Sequence, residues 1–242
     1  MTDSGHLGKL AVVTGATKGI GRAIAEKFAA GGFDLAFCAR TAADVQAMEA
    51  DLCRRFPGQR FLGRAADLSS CADVDGFARA VVEQGRAADV LVNNAGVFIP
   101  CPVADPAGRE SFDLMMRTNV SSAYWLTQGL LPPMRAARRG HIFNLCSIAS
   151  VTSYGGGYGV SKFALLGYSK NLREELKKDG IRVTAVLPGA TLTPSWNGVN
   201  LPADRFVRAS DVADAVWACY ALSPQAVVEE LLVRPQLGDI EI

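Results

Sequence analysis

Residues Leu10 to Thr14 form a short apolar run that leads directly into a glycine loop, Thr14-Gly15-Ala16-Thr17-Lys18-Gly19-Ile20-Gly21. No other feature constrains the fold as strongly. An apolar run of this length reads as a strand buried on both faces, which is the habit of parallel sheets. Beyond the loop, Ile20, Ala23, Ile24, Lys27 and Phe28 recur at helical spacing up to Ala30, and Gly31-Gly32 stop the helix. Glycines at 15, 19 and 21 permit a tight turn and let backbone N–H groups approach an anion at the positive helix end. The spacing departs from G-x-G-x-x-G. Its place between a strand and a helix is what points to a dinucleotide pyrophosphate rather than to a plain turn.

The same strand-helix alternation continues along the chain. Strands are expected at Leu35–Ala39, Arg60–Ala65, Asp89–Asn93, Gly140–Cys146, Arg182–Leu187 and Val227–Val233. Helices are expected at Ala42–Phe56, Cys71–Gly85, around Glu110–Arg117, Ser121–Ala137, from Tyr158 to about Lys178, and Ser210–Leu222. Pro188-Gly189 opens an irregular stretch that runs to about Phe206. Such alternation implies one α/β domain over residues 1–242, a Rossmann-type doubly wound parallel sheet of about seven strands with helices on both faces. Its dinucleotide-binding part covers about 8–120, and its catalytic and substrate part about 121–242.

Composition excludes several alternatives. A net charge of +1 gives no electrostatic case for nucleic acid or an anionic membrane. The basic cluster Arg135 to Arg139 is expected to face solvent. The six cysteines are scattered without a Cys-x-x-Cys pair and read as small buried hydrophobes in a reducing, cytoplasmic compartment. Met1 to Lys9 lacks a signal-peptide apolar core, and no apolar run is long enough to cross a bilayer. Of the two histidines, His6 lies in the tail and His141 at a strand start, where it reads as a strand-edge residue, and there is no Gly-x-Ser-x-Gly. A Ser-His-Asp hydrolase or a His-ligated zinc site has little to work with, and no metal is expected.

Tyr158 and Lys162 stand four apart on one helix, so they share a face. An ammonium one turn from a phenol favours its ionisation from a free value of roughly 10, so such a tyrosine can exchange a proton nearer neutrality. Ser147, at a strand end eleven residues earlier, can hydrogen-bond a developing alkoxide. Tyr154 is a competing phenol, but Tyr158 occupies the position where its lysine is needed; it is read as lining the pocket. The second strand ends Phe37-Cys38-Ala39-Arg40, without the acid that usually holds a ribose 2′-hydroxyl. Arg40 and Lys18 can embrace a 2′-phosphate, which favours NADP(H); the alternative is a pair of solvated cations.

Taken together, these residues resemble the short-chain dehydrogenase/reductases over essentially the whole chain. The resemblance rests on Thr14 to Gly21, Asp67, Asn93-Asn94-Ala95-Gly96, Asn119, Ser147, Tyr158 with Lys162, and Pro188-Gly189 with Thr193. It implies catalysis by Asn119, Ser147, Tyr158 and Lys162, Asn119 holding a water that links Lys162 to solvent. It implies a cofactor site from Gly15, Thr17, Lys18, Gly19, Ile20, Gly21, Arg40, Asp67, Leu68, Asn94, Ala95, Gly96, Tyr158, Lys162, Pro188, Gly189, Thr191 and Thr193. Asp67 would contact the adenine, Asn93 would shape the floor of that site, and Thr193 would hold the nicotinamide carboxamide. The Ser147–Tyr158 interval is shorter than the family's usual one, and its loop ends in Gly155-Gly156-Gly157.

Within the family, Arg40 to Asp44, Thr193 to Trp196 and Val228 to Ile240 resemble bacterial sepiapterin reductases. This implies an NADPH-dependent reductase of a ketone or diketone, a sepiapterin-like pteridine foremost. Reduction of 3-oxoacyl thioesters or other ketones, and a catalytically idle NADP(H)-binding sensor, are the alternatives. Phe98, Ile148, Tyr154 and Trp196 are the candidate pocket residues. Aromatics in the 194–206 stretch suit a flat ring or anchor the loop to the core. Apolar residues on more than one face of the helix from Phe163 suit a partner, and the resemblance implies a homodimer or homotetramer.

Overall fold

The computed structural model describes residues 8–153, 155–196 and 198–240. Tyr154, one of the pocket candidates, and His6 lie outside the described residues.

Seven strands form one parallel sheet: β1 (Leu10–Thr14), β2 (Asp34–Ala39), β3 (Phe61–Ala65), β4 (Val90–Asn93), β5 (Gly140–Leu145), β6 (Ile181–Pro188) and β9 (Glu230–Val233). Their order across the sheet is β3-β2-β1-β4-β5-β6-β9, every neighbouring pair parallel. The order reverses between β1 and β4, so a crevice opens beyond their carboxyl ends. Between the strands run α1 (Gly19–Ala30), α2 (Ala42–Arg55), α3 (Cys71–Val82), α4 (Arg109–Met116), α5 (Ser122–Ala137), α6 (Gly157–Leu176) and α7 (Ala209–Ala221). Alternate residues of one strand serve opposite cores. Ala11, Val13, Leu35 and Phe37 meet α1, α2 and α7 residues such as Phe28, Met48 and Val216. Leu10, Val12, Ala36 and Cys38 meet α3, α5 and α6 residues such as Phe77, Leu130 and Leu172.

Two features of the element assignment depart from the sequence reading. The irregular stretch after β6 holds a two-stranded parallel pair, β7 (Thr191–Leu192) with β8 (Val207–Arg208), and two short 3-10 turns. The helices expected around Glu110 and Ser121 are joined by a π-helical turn, Arg117–Ser121. As expected, the helix over Ser122–Ala137 runs on through Pro132-Pro133. The carbonyls that those prolines deprive of donors, on Gln128 and Gly129, belong to exposed residues and can turn to water.

The Arg135–Arg139 cluster is exposed but not free: Arg135 pairs with Asp179 at 2.7 Å and Arg139 with Asp89 at 2.9 Å.

His141 is not at an edge. It is fully buried in β5, stacked on Phe143 at 3.9 Å between ring centroids. The Thr184 hydroxyl donates to Val228 O at 2.6 Å, so at 2.7 Å it accepts from His141 Nε2–H. That fixes the tautomer and leaves Nδ1 buried without a partner among the described residues. Burial, with Arg182 nearby, drives its pKa down from 6.5 to about 2. The unfolded chain therefore takes up a proton as pH falls below 6.5 and the folded chain does not. Stability should fall towards acid by up to about 1.4 kcal/mol per pH unit from this group. Urea unfolding between pH 7.5 and 5.5 checks it: His141→Phe flattens that slope whatever it does to stability at neutrality.

Candidate functional site

The residues singled out by sequence lie beyond the carboxyl ends of β1 to β6 and on the turns and helices that follow them. Gly15 and Gly19 adopt φ of 62° and 57°, so the loop turns where other residues are strained. The Thr14 hydroxyl accepts from the N–H groups of Asn94 and Ala95, both at 3.0 Å. The Asn94 amide returns two bonds, to Thr14 O at 2.9 Å and Gly15 O at 3.2 Å. Together they clamp the ends of β1 and β4. At its far side the loop meets the residue that follows Leu192: a Cβ placed on Gly19 would stand 3.1 Å from the methyl of Thr193.

The start of α1 has no side-chain cap and no acid in its first turn. Its positive end is thus left for an external anion. Lys18 pairs with Asp44 at 2.8 Å while remaining 63% exposed, whereas Arg40 is exposed with no ion pair among the described residues. Asp67 lies close by. Its carboxylate accepts from the Ser69 N–H and hydroxyl, both at 2.9 Å, which holds it below the usual carboxylate range, with the charges of Arg40 and Arg117 adding to the effect. Leu68 is buried beside it.

On the other side of the crevice, Lys162 is 4% exposed and donates to Leu145 O at 2.6 Å. Its Nζ lies 5.6 Å from the centre of the Tyr158 ring. Asn119 sits in the π-helical turn, its amide almost fully used. Oδ1 accepts from Val97 N–H at 2.8 Å, and Nδ2 donates to Val97 O at 3.0 Å and to Ser161 Oγ at 2.9 Å. One Oδ1 lone pair is left for a water. Gly96 fits between the two groups, since a Cβ there would stand 3.2 Å from Asn119 Oδ1 and 3.5 Å from Lys162 Nζ.

Ser147 caps the short turn Ile148–Ser150. Its Oγ accepts from Ala149 N–H at 3.1 Å, which leaves the hydroxyl proton for another acceptor. Ser150 accepts from Ser147 N–H and donates to Lys162 O at 2.9 Å, which ties the serine turn to α6. Burial pushes the thiol of the neighbouring Cys146 up to about 11.

Thr14, Ser150 and Ser161 escaped the functional reading. A single hydroxyl inside an apolar stripe is the only trace such residues leave. Of the pocket candidates, Phe98 is half-exposed and stands edge-on to Tyr158, ring centroids 5.2 Å apart. Ile148 is half-buried beside Ser147. Trp196 rests on buried Phe206 at 5.1 Å, so anchoring the loop is at least part of its work. Thr191 is buried, its hydroxyl donating to Gly189 O at 3.0 Å, and Gly189 N–H donates to Val233 O at 2.7 Å at the end of β6.

The family model for short chain dehydrogenases matches residues 9–203, most of the chain. The chain belongs to that family. A sepiapterin reductase of Chlorobaculum tepidum is 36% identical over 95% of this chain and 97% of its own. The 3-oxoacyl-acyl-carrier-protein reductase of Haemophilus influenzae is 33% identical over 86% of this chain and 89% of its own. The crystal structure of L-sorbose reductase from Gluconobacter frateurii, complexed with NADPH and L-sorbose, superposes with a TM-score of 0.86 at 33% identity. It covers 97% of this chain and 98% of its own. This short-chain dehydrogenase keeps the open helix end and the glycine cradle that a dinucleotide requires.

Proposed function

We propose that the protein is an NADPH-dependent carbonyl reductase whose substrate is a small ketone or diketone, a sepiapterin-like pteridine foremost. The observation that carries this reading is the buried Lys162 ammonium, bonded to Leu145 O and set beneath the Tyr158 ring at the mouth of the crevice. When bound, the nicotinamide supplies the hydride that adds to the carbonyl carbon. Tyr158 gives the proton to the carbonyl oxygen, and the free hydroxyl proton of Ser147 holds that oxygen in place. Lys162 orients the phenol and the cofactor ribose, while Asn119 offers its remaining lone pair to a water that restores the proton. Gly15, Thr17, Gly19, Ile20 and Gly21 receive the pyrophosphate. Asp67, Leu68, Asn94, Ala95 and Gly96 receive the adenosine side, and Pro188, Gly189, Thr191 and Thr193 the carboxamide.

Phe98 offers a ring to a flat substrate beside the proton donor, and the relative from Chlorobaculum supports a pteridine. NADPH consumption with sepiapterin, run beside an acetoacetyl thioester and an aromatic diketone, tests it. Clear selectivity for sepiapterin is the expected result. Equal or better rates on the thioester would transfer the assignment to an acyl-thioester reductase, and no turnover with any carbonyl would leave a cofactor-binding sensor.

Arg40, exposed near Asp67 and without an ion pair among the described residues, is proposed to take the 2′-phosphate. Arg40→Asp should lower the NADPH-over-NADH ratio of kcat/KM by about tenfold or more, the scale of one charge-assisted hydrogen bond. An unchanged ratio would remove Arg40 from that site. We further propose a homodimer or homotetramer formed over the exposed apolar face of Tyr124, Val160 and Phe163. The six free thiols suit a reducing, cytoplasmic setting, and among the described residues no helix is long and apolar enough to cross a membrane.

A further inference from the structure

The Gly155-Gly156-Gly157 triplet has no part in the chemistry above, yet it occupies an unusual position. Gly155 and Gly156 adopt φ of 89° and 55°, and Gly156 immediately precedes α6, with no side-chain cap. The cap comes from a distant segment: Gly157 N–H donates to Cys101 O at 2.8 Å. A Cβ on Gly156 would stand 2.3 Å from that same Cys101 oxygen and 3.1 Å from its carbonyl carbon. Only a glycine lets the two backbones approach this closely. Cys101 is itself fixed: it is buried, and its thiol donates to Gly108 O at 3.3 Å.

The segment that ends at Cys101 touches the site twice more. Val97 holds the Asn119 amide, and Phe98 meets the Tyr158 ring edge-on. The first turn of α6, which carries Tyr158, is thereby docked on the same strip of backbone that holds Asn119. We propose that Gly156 is a positioning residue. By letting Gly157 reach the Cys101 carbonyl, it sets where the Tyr158 hydroxyl stands relative to the substrate carbonyl, and so makes the shortened Ser147–Tyr158 loop workable. This rests on the reading of Tyr158 as proton donor.

The experiment compares Gly156→Ala with Gly85→Ala, which lies at the end of α3 at φ 72° with open space around its Cβ and therefore carries backbone strain alone. Steady-state kcat across pH, NADPH affinity by fluorescence titration, and thermal midpoints are measured on both. In Gly156→Ala, kcat should fall about tenfold to a hundredfold, the usual cost of displacing a reacting group by an ångström, with NADPH affinity within about twofold of the parent. Its pH profile of kcat should move as well, because the proton donor's surroundings have changed. Gly85→Ala should lose thermal stability with kcat and pH profile intact.

A Gly156→Ala enzyme that loses stability but keeps its kcat and pH profile overturns the proposal. So does one whose NADPH affinity falls in step with kcat, since the damage is then general. Tyr158→Phe separates the two layers: if it retains turnover, the functional reading fails; if it is inactive while Gly156→Ala is normal, only the positioning role fails.

Discussion

Tyr158→Phe should lower kcat by ~10²–10⁴-fold, the usual worth of a positioned proton donor, and leave NADPH affinity near the parent value. The substitution removes one oxygen and little else. The phenyl ring keeps its edge-on contact with Phe98 and its place above Lys162. Lys162 does not depend on the phenol for its position, because its ammonium is anchored on Leu145 O at 2.6 Å. The pocket therefore keeps its shape while the carbonyl oxygen loses its proton source. An interaction made chiefly in the transition state shows in kcat rather than in cofactor binding. Single-turnover reduction followed at the nicotinamide absorbance, beside a fluorescence titration with NADPH, separates the two. Turnover at the parent rate would sink the proposed acid.

Gly21→Ala should be the most damaging single methyl in the cofactor half. The new Cβ would stand 2.3 Å from the Asn94 amide nitrogen and 2.4 Å from Gly15 O. Neither neighbour is a flexible tip. The amide is committed to Thr14 O and Gly15 O, and Gly15 O belongs to the turn itself. Either α1 slides away from the loop or the clamp between β1 and β4 opens. Overpacking of this kind costs about 1–3 kcal/mol of stability. The displaced helix end should also weaken NADPH binding by about 100-fold or more, roughly 2.7 kcal/mol. Gly58→Ala, which meets open space, is the comparison and should bind NADPH normally. Retained affinity in Gly21→Ala would mean that the turn accommodates a side chain and that the open helix end is not the anion seat.

The half of the site built from β1, its loop and α1 was legible because each signal there is local: an apolar run, glycines at a turn, apolar residues at helical spacing. The proposed proton donor could be singled out for the same reason, since Tyr158 and Lys162 are neighbours on one helix. Positions where local signals were silent take their state from distant partners. His141 looks like a strand-edge residue, because nothing near it in sequence announces the Thr184 hydroxyl across the β5–β6 ladder. Asn119 looks like a residue before a helix, because Arg117-Thr118-Asn119-Val120-Ser121 contains no glycine or proline to mark a change of register. Its conformation is held by Val97 and Ser161, which lie far off in the chain. The β7–β8 pair, two residues each, is too short to leave a period.

The π-helical turn has a consequence for which length changes this chain tolerates. Each residue of a helix turns the next by about 100°. A residue inserted or deleted between Arg109 and Asn119 swings the Asn119 amide away from Val97 and Ser161 together, with no local slack to absorb the rotation. The stretch between Thr193 and Phe206, held by short turns and a two-residue strand pair, has no such gearing. Changes of length are therefore better borne within 194–206, and the helix from Arg109 to Ala137 is to be kept at its present count.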